Sequence, residues 1–361
     1  KTQREEGLCE FFSETMKNNK LTVPAKKVLA EIKKKLPLDV EDMIKLCSKA
    51  KMCPYELSMI LANKADVIIA DYFYLFNPMI SQLFFKKSKK SMENCIIIVD
   101  EAHNLGNRIR SLLSVRVSNW IIKYAIKEAK KFKKKELISG LVAVQDALVR
   151  LGADLNYGQE RLVGKKEFVE EIEKSCDYDE LVEELEEGSE HVLHEQKKSF
   201  LGNIANFLLN WTGGDDGFTR ILSFKQIKDQ LFISLSYRCL DPSLVTRSVI
   251  NAAHSVIAMS GTLNPPVMYK DILGFGDADE RVYKNPFPLR NRLSLIIPKT
   301  TTKYSMRSEM QYKKIAFLLS DIADAVPGNT ALFFPSYYLR DQVDKYFPLF
   351  CNKQAVLEKP N

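Results

Sequence analysis

The pattern of hydrophobic and polar positions divides the chain into stretches of two different periods. Short apolar runs that end at charged or turn residues predict buried strands, and apolar residues three and four apart predict helices. Because helices separate the strand-like runs, the pattern predicts an α/β sheet domain interrupted once by a helical insert. The predicted sheet strands are Ala65 to Ala70, Cys95 to Val99, Ser255 to Met259, Leu293 to Ile297 and Thr330 to Phe334. A helix from Glu309 to Ala325 is predicted between the last two.

The helical insert runs from about residue 117 to the glycine-rich break at 213–217. Ser118 can cap its first helix, whose apolar positions include Trp120 and Tyr124. Beyond the glycines, 217–224 and 231–239 alternate in polarity and predict a β-hairpin. A second helix of the insert is indicated by its apolar positions, Leu137, Leu141, Val144, Leu148 and Leu151.

The run from Cys95 to His103 carries the chemistry that the pattern indicates most directly. Its continuous apolar character predicts a strand buried on both faces of a parallel sheet. Asp100 and Glu101 follow at the carboxyl end of that strand, where open α/β sheets bind their ligands. Two adjacent carboxylates suit nucleotide hydrolysis, since one holds Mg²⁺ through water and the other activates the attacking water.

A phosphate-binding loop to accompany these carboxylates is missing from the sequence, which contains no Gly-x-x-x-x-Gly-Lys-Ser/Thr. The nearest match, Gly158 to Lys166, has one residue too many and lacks the hydroxyl. Two interpretations therefore stay open, a fragment of a longer enzyme and a non-catalytic relative.

Composition narrows the setting without deciding the function. The chain has 361 residues, a hydrophobic fraction of 45% and a formal charge of +7, which permits nucleic-acid binding. Lysines cluster at 26–35, 86–90 and 123–135, either as solvated helix faces or as phosphate contacts. Seven irregularly spaced cysteines favour a reducing compartment. The sequence contains neither a signal peptide nor an apolar run of roughly 18–20 residues, so it predicts neither secretion nor a membrane span.

Six segments spread over nearly the whole chain carry a family resemblance. They are Cys53-Pro-Tyr-Glu56, Ala65 to Phe76, Val99-Asp-Glu-Ala-His-Asn-Leu105, Met259-Ser-Gly-Thr-Leu-Asn-Pro265, Thr302 to Arg307 and Phe333-Phe-Pro-Ser-Tyr337. In this order they resemble the XPD family of iron-sulfur superfamily 2 DNA helicases, in an archaeal-like form. The family's motifs I, V and VI have no counterpart, so the resemblance implies an internal fragment.

The resemblance implies an α/β fold with a RecA-like parallel-sheet motor domain, an all-α arch insertion, the remnant of a helical iron-sulfur domain and the start of a second RecA-like domain. The implied boundaries are 1–58 for the partial cluster domain, 59–116 for the first part of motor domain 1, 117–216 for the arch, 217–285 for the return of motor domain 1 and 286–361 for the start of motor domain 2.

Site roles follow from the same resemblance. Asp100 is expected to hold Mg²⁺ through water, and Glu101 is expected to be the general base. His103 completes the catalytic set, and its hydrogen bonds to Ser260 and Thr262 of the Ser260-Gly261-Thr262 motif would couple nucleotide state to DNA movement.

Two further sets of residues are expected to hold an iron-sulfur cluster and to bind DNA. Cys9 and Cys53 resemble two of the four thiolate ligands of a [4Fe-4S] cluster, whereas Cys47 has no counterpart and is interpreted as a bystander. The expected DNA-binding residues are Tyr55, Tyr72, Tyr74, Lys303, Tyr304 and Arg307.

The implied intact protein is an ATP- and Mg²⁺-dependent helicase that moves 5′ to 3′ on single-stranded DNA and unwinds forked DNA, in DNA repair and with repair-complex proteins as partners. It would be cytoplasmic beside the nucleoid, or nuclear in a eukaryote, and neither secreted nor membrane-bound. Isolated from the rest, the fragment is expected to be inactive. The alternatives are a DinG- or FancJ-like iron-sulfur helicase and a non-catalytic DNA- or protein-binding scaffold.

Overall fold

The computed structural model describes residues 9–196, 198–227 and 230–358. The chain divides into two compact units, Lys1–Arg281 and Val282–Asn361. Among the described residues, no helix is both long and apolar enough to cross a membrane.

The described part of the first unit begins at residue 9 with a small layer of helices. Its core holds Ala25, Ile32, Cys47 and Leu57, each fully buried. Pro54 occupies the first turn of its helix, where a missing N–H costs nothing. The elements are α1 (Glu10–Thr15), β1 (Met16–Lys17), β2 (Lys20–Leu21), α2 (Val23–Lys34), α3 (Val40–Lys49) and α4 (Pro54–Lys64).

The segment after α4 leads to the strand that carries the two carboxylates. The predicted strand at 65–70 is wrong, because these residues form no ladder and Ile69 is 97% exposed. An apolar run becomes a strand only when a neighbouring strand accepts its backbone hydrogen bonds. The elements that follow are α5 (Phe73–Phe76), α6 (Pro78–Ser88), β3 (Ile96–Val99) and α7 (Leu105–Leu113).

The insert packs helices against an antiparallel sheet with the strand order β4-β7-β6-β5. The predicted hairpin is present as β6 and β7, and the predicted cap is present, since the Ser118 hydroxyl accepts from the N–H of Ile121. The predicted all-α insert therefore also contains strand residues. The elements are β4 (Val115–Ser118), α8 (Asn119–Lys131), α9 (Leu137–Leu151), β5 (Glu160–Leu162), α10 (Lys165–Glu173), α11 (Tyr178–Glu195), α12 (Phe200–Trp211), β6 (Phe218–Ile227) and β7 (Gln230–Cys239).

The core of the insert follows the predicted helix periodicity. Leu141, Val144 and Leu148 of α9 are fully buried, and they pack in one cluster with Trp211. The hairpin belongs to this cluster through Leu222 and other residues, although the sequence boundary at 217 placed it with the motor domain. The five predicted domain boundaries stay predictions.

The chain returns to the first sheet through α13 (Ser243–Ala252), β8 (Ser255–Ala258) and α14 (Pro266–Leu273). β8 pairs in parallel with β3, in a register that joins Ile96 to Ser255 and Val99 to Ala258. This parallel pair with packed helices confirms the α/β class.

The expectation that β3 is buried on both faces is wrong. Ile97 and Val99 are buried, whereas Ile96 and Ile98 are 63% and 60% exposed. Among the described residues, the helices cover only one face of the two-stranded sheet, through a core that includes Leu105 and other apolar side chains.

The second unit contains α15 (Glu309–Ala325) and α16 (Tyr337–Asp344). The sequence predicted the first of these with the same bounds. The two predicted strands, 293–297 and 330–334, are wrong for the reason given for 65–70. Ile296 and Phe333 are each 94% exposed and form no described ladder.

Candidate functional site

The loop after β3 holds both acidic side chains at the carboxyl end of the parallel pair. Asp100 and Glu101 are exposed, and Asp100 Oδ1 accepts the backbone N–H of Glu101 at 2.8 Å. Glu101 adopts a left-handed backbone conformation with φ of +49°. A non-glycine residue there stores strain of about 1–3 kcal/mol, which is typical of functional loops held by their surroundings. The parallel strand fixes this loop, since Ala102 N–H donates to the carbonyl of Met259 at 3.0 Å.

Three side chains from the two strand ends form a closed network. His103 Nδ1 lies 2.7 Å from Ser260 Oγ and 3.2 Å from Glu101 Oε2. Ser260 Oγ donates to the same Glu101 oxygen at 3.1 Å. Because the single hydroxyl proton of Ser260 goes to Glu101, His103 Nδ1 is the donor in its contact with Ser260 Oγ. Through this network the side chain expected to activate water is tied directly to the loop after β8.

The Ser260-Gly261-Thr262 turn is organised around the same hydroxyl. Thr262 N–H donates to Ser260 Oγ at 3.1 Å, and the two hydroxyl oxygens lie 3.4 Å apart. Gly261 is exposed, and a side chain added there would meet no atom within 4 Å. The sequence-predicted coupling residues thus meet Glu101 and His103 mainly through Ser260.

Tyr72 approaches this loop through its hydroxyl, which sequence reasoning did not foresee. Its Oη donates to the carbonyl of Asp100 at 2.5 Å and, more weakly, to that of Glu101 at 3.3 Å. Burial raises the pKa of the Tyr72 phenol, and the charges of Asp100 and Glu101 raise it further, so the donor proton stays in place. Tyr72 therefore positions the backbone of the acidic pair. In the sequence, the aromatic residues beside Tyr72 were the only signal at this position. They suggested stacking on DNA rather than a hydrogen bond to the loop.

The donor set at this loop fits the expected metal. Mg²⁺ prefers oxygen ligands and keeps several waters, which two exposed carboxylates at a strand end can accommodate. Asp100 would hold it, and the metal would supply charge neutralisation for a phosphoryl group.

The two cysteines expected at a cluster lie in the N-terminal helical layer. Cys53 is buried at the start of α4, and its N–H donates to Thr15 Oγ1 at 2.6 Å. Cys9 is half-buried and precedes α1. Among residues 9–196, 198–227 and 230–358, no group of three or more histidine, cysteine or acidic residues could hold a metal. Two thiolates are half of the usual ligand set for a [4Fe-4S] cluster.

Cys47 lies in the core of that layer. It is fully buried, and burial followed by the nearby charge of Cys53 raises the pKa of its thiol. A raised pKa disfavours the thiolate form that a metal ligand or a nucleophile needs. The interpretation of Cys47 as a bystander stays a prediction.

The remaining aromatic candidates near this layer contact other side chains. Lys87 Nζ sits 4.8 Å from the centre of the Tyr55 ring, and Lys87 also pairs with the buried Glu56 at 2.5 Å. The Tyr74 ring packs edge-on against Phe84 at 5.5 Å. Their role in DNA binding stays a prediction.

The residues of the second unit that are expected to bind DNA lie close to one another. The Arg307 guanidinium lies 5.4 Å from the Tyr304 ring centre and donates to the carbonyl of Thr302 at 3.1 Å. Tyr304 is 81% exposed, and Lys303 is exposed beside it. A cation and an accessible aromatic face suit a nucleic-acid contact, which also stays a prediction.

Comparison with known proteins connects this geometry to a family. The family model DEAD_2 matches residues 1–122. The chain is 23% identical to the general transcription and DNA repair factor IIH helicase subunit XPD/RAD3 of Saccharomyces cerevisiae, over 87% of this chain and 50% of that protein. It is 26% identical to the ATP-dependent DNA helicase CHL1 of Yarrowia lipolytica, over 87% of this chain and 42% of that protein.

A shorter match at higher identity, 35%, covers 30% of this chain and 10% of the regulator of telomere elongation helicase 1 homolog of Drosophila willistoni. A solved structure described as XPD_APO superposes with a TM-score of 0.48 and 24% identity, over 78% of this chain and 54% of that one. The chain spans about half the length of the long-matching relatives. The chain is therefore similar to the DEAD_2 family model over residues 1–122 and, over most of its length, to helicases of the XPD/RAD3 and CHL1 kinds.

Proposed function

We propose that this chain is part of an ATP-dependent DNA helicase that moves 5′ to 3′ along single-stranded DNA and unwinds duplexes in DNA repair. The observation that carries the proposal is the network of Glu101, His103 and Ser260, which joins the ends of two parallel strands. A carboxylate that activates water and is hydrogen-bonded to a neighbouring loop can transmit the loss of a phosphate to that loop.

Each residue of the network has a distinct role in this proposal. Asp100 holds Mg²⁺ through water, and Glu101 orients and deprotonates the water that attacks the terminal phosphate of ATP. The hydroxyl of Ser260 donates to Glu101 Oε2, and His103 Nδ1 lies 2.7 Å from that hydroxyl and 3.2 Å from the same carboxylate oxygen, so the two side chains keep the Glu101 carboxylate in one orientation.

The partners and location follow from this activity. Relatives named as a DNA repair factor subunit and as DNA helicases support single-stranded and forked DNA as substrates and repair-complex proteins as partners. We propose that the protein works beside its DNA, in the cytoplasm of a prokaryote or the nucleus of a eukaryote.

The decisive experiment is Glu101→Gln in the full-length protein, including a phosphate-binding loop. Loss of a general base should lower single-strand-stimulated ATP hydrolysis by about 10²–10⁴-fold while nucleotide binding persists. Glu93→Gln is the matched control, because Glu93 is an exposed carboxylate just before β3. Normal hydrolysis by the Glu101 variant would contradict the assignment.

Two alternatives predict different results in the same protein. A DinG- or FancJ-like helicase would hydrolyse ATP and unwind but would differ in substrate preference, so forked substrates with a single 5′ or 3′ tail should be compared. A scaffold would bind DNA and hydrolyse nothing. The intact Asp100-Glu101 pair and its network to Ser260 favour the enzyme, because a scaffold has no use for a positioned base.

We also propose that Cys9 and Cys53 contribute two ligands to a [4Fe-4S] cluster in the full-length protein. Cys53→Ser should remove the visible absorbance and the iron of anaerobically purified protein, whereas Cys47→Ser should retain both. A cluster that survives in the Cys53 variant would refute the ligand assignment.

A further inference from the structure

Two aromatic side chains to which no role is assigned above lie stacked on the surface of the insert. The rings of Tyr124 and Phe200 are 5.2 Å apart with an interplanar angle of 22°. Tyr124 is 50% exposed and Phe200 is 38% exposed, although the adjacent Ala125 and Leu201 are fully buried. The sequence pattern named Tyr124 among the apolar positions of α8, and the structure leaves half of its surface exposed. We call this pair the Tyr124–Phe200 platform.

Positive charge surrounds the platform on α8. Lys127 and Lys131 lie three and seven positions beyond Tyr124, so helical periodicity puts them on the same face. Lys127 Nζ is 5.7 Å from the centre of the Tyr124 ring. Lys123 is exposed beside Tyr124. Among the described residues, no ion pair within 4.0 Å involves these three lysines.

A buried carboxylate holds the platform in place. Glu128, one turn beyond Tyr124, is 6% exposed and accepts from Ser199 Oγ and from Leu201 N–H, each at 2.9 Å. These two donors flank Phe200 in the sequence. Because Glu128 ties the first turn of α12 to α8, the two rings face each other before any ligand arrives, which lowers the entropic cost of binding.

We propose that the Tyr124–Phe200 platform and the lysines of α8 bind single-stranded nucleic acid, at a site separate from the acidic pair of Asp100 and Glu101. A base can stack on an exposed ring face, and the lysines can neutralise the flanking phosphates. A duplex keeps its bases stacked inside, and an acidic peptide has no flat rings to match the platform, so a single strand is the partner that uses both features. The site needs no nucleotide hydrolysis.

The test is direct binding of a fluorescently labelled oligothymidylate to this chain without ATP. Phe200→Ala and Tyr124→Ala should each weaken binding about 5- to 100-fold, the range expected for one stacked base. Phe200→Leu preserves apolar packing but removes the flat face, and it should weaken binding similarly even if Phe200→Ala fails to fold. Lys127→Gln should lower the slope of log affinity against log salt by about 1.

Two matched controls lie elsewhere on the insert. Tyr157→Ala removes a ring that is 66% exposed. Lys166→Gln removes an exposed lysine near the opposite end of α12, where Trp211 Nε1 donates to the Lys165 carbonyl at 3.0 Å. Both should bind within about twofold of the parent.

Parental affinity and salt slope in the Phe200→Leu and Lys127→Gln variants would overturn the proposal. Competition by duplex DNA or polyglutamate as strong as that by a single strand would overturn it too. Either result would leave the hydrolysis assigned to Glu101 untouched, because that assignment is tested separately by ATP turnover.

Discussion

His103 Nδ1 lies 2.7 Å from the hydroxyl of Ser260, although the two residues are 157 positions apart in the chain. The contact exists because β3 and β8 run in parallel side by side, so the residues after both strands meet at one edge of the sheet. Since Ser260 also donates to Glu101 at 3.1 Å, one hydroxyl joins the expected base to the loop after β8.

Removal of that hydroxyl should separate hydrolysis from movement. In the full-length protein, Ser260→Ala is expected to lower DNA unwinding several-fold more than ATP hydrolysis, because Glu101 and His103 keep their direct contact at 3.2 Å. Turnover of ATP and strand separation, measured in parallel, give the ratio. Ser255→Ala, at the exposed start of β8, is the control. An unchanged ratio in the Ser260 variant would show that the hydroxyl does not couple the two processes.

Loss of the Tyr72 hydroxyl should loosen the strained acidic loop. Tyr72→Phe removes the hydrogen bond to the Asp100 carbonyl, and a net contribution of about 0.5–1.5 kcal/mol predicts a fall in kcat of roughly 2- to 12-fold. The ring remains, so stacking on DNA would be preserved, and single-strand affinity should stay unchanged. Tyr74→Phe serves as the control. Weaker DNA binding with an unchanged kcat would assign the Tyr72 hydroxyl to the DNA instead.

Arg220 is expected to be a main stabilising residue of the insert. Its guanidinium is buried, donates to the carbonyls of Trp211 and Gly213 at 2.7 Å each, and lies 4.6 Å from the Tyr237 ring centre. Arg220→Ala leaves buried carbonyls without donors, which should lower the free energy of unfolding by about 3 kcal/mol. Denaturant titration of this chain measures the change.

The ion pair of Arg220 with Asp215 provides an internal comparison. The Asp215 side chain is 76% exposed, so Asp215→Asn should have a much smaller effect than Arg220→Ala. Equal losses in the two variants would mean that the surface pair, rather than the buried carbonyl contacts, carries the stability.

Tyr178 predicts a specific loss of stability at alkaline pH. Its buried hydroxyl donates to the Leu208 carbonyl at 2.8 Å, and burial raises the pKa of the phenol. The unfolded phenol ionises near pH 10 while the folded one stays protonated, so its contribution is complete below about pH 10 and decreases as pH rises toward the folded pKa. The free energy of unfolding should therefore fall more steeply above about pH 10 in the parent than in Tyr178→Phe. Parallel curves would contradict this origin of the dependence.

The sequence by itself determined the elements whose partners are local. The periodicity of Leu137 to Leu151 predicted α9, Ser118 predicted the start of α8, and Glu309–Ala325 was predicted with its observed bounds. A helix satisfies its own backbone hydrogen bonds, so its residues carry nearly all the information that it needs. The sequence also placed Asp100 and Glu101 directly after a strand, where the structure has them, and their role in hydrolysis stays a prediction.

Only the tertiary structure decided which strands exist and which side chains meet. The runs at 65–70, 293–297 and 330–334 looked like β3 but have no described neighbour to pair with, whereas β3 has β8. For the same reason the sequence did not predict the hydrogen bond from the Tyr72 hydroxyl to the Asp100 carbonyl or the exposure of Tyr124, since both depend on residues far away in the chain. Pairing and burial depend on residues far away in the chain, and a sequence pattern records only a residue's own preference for a strand, a helix or a core.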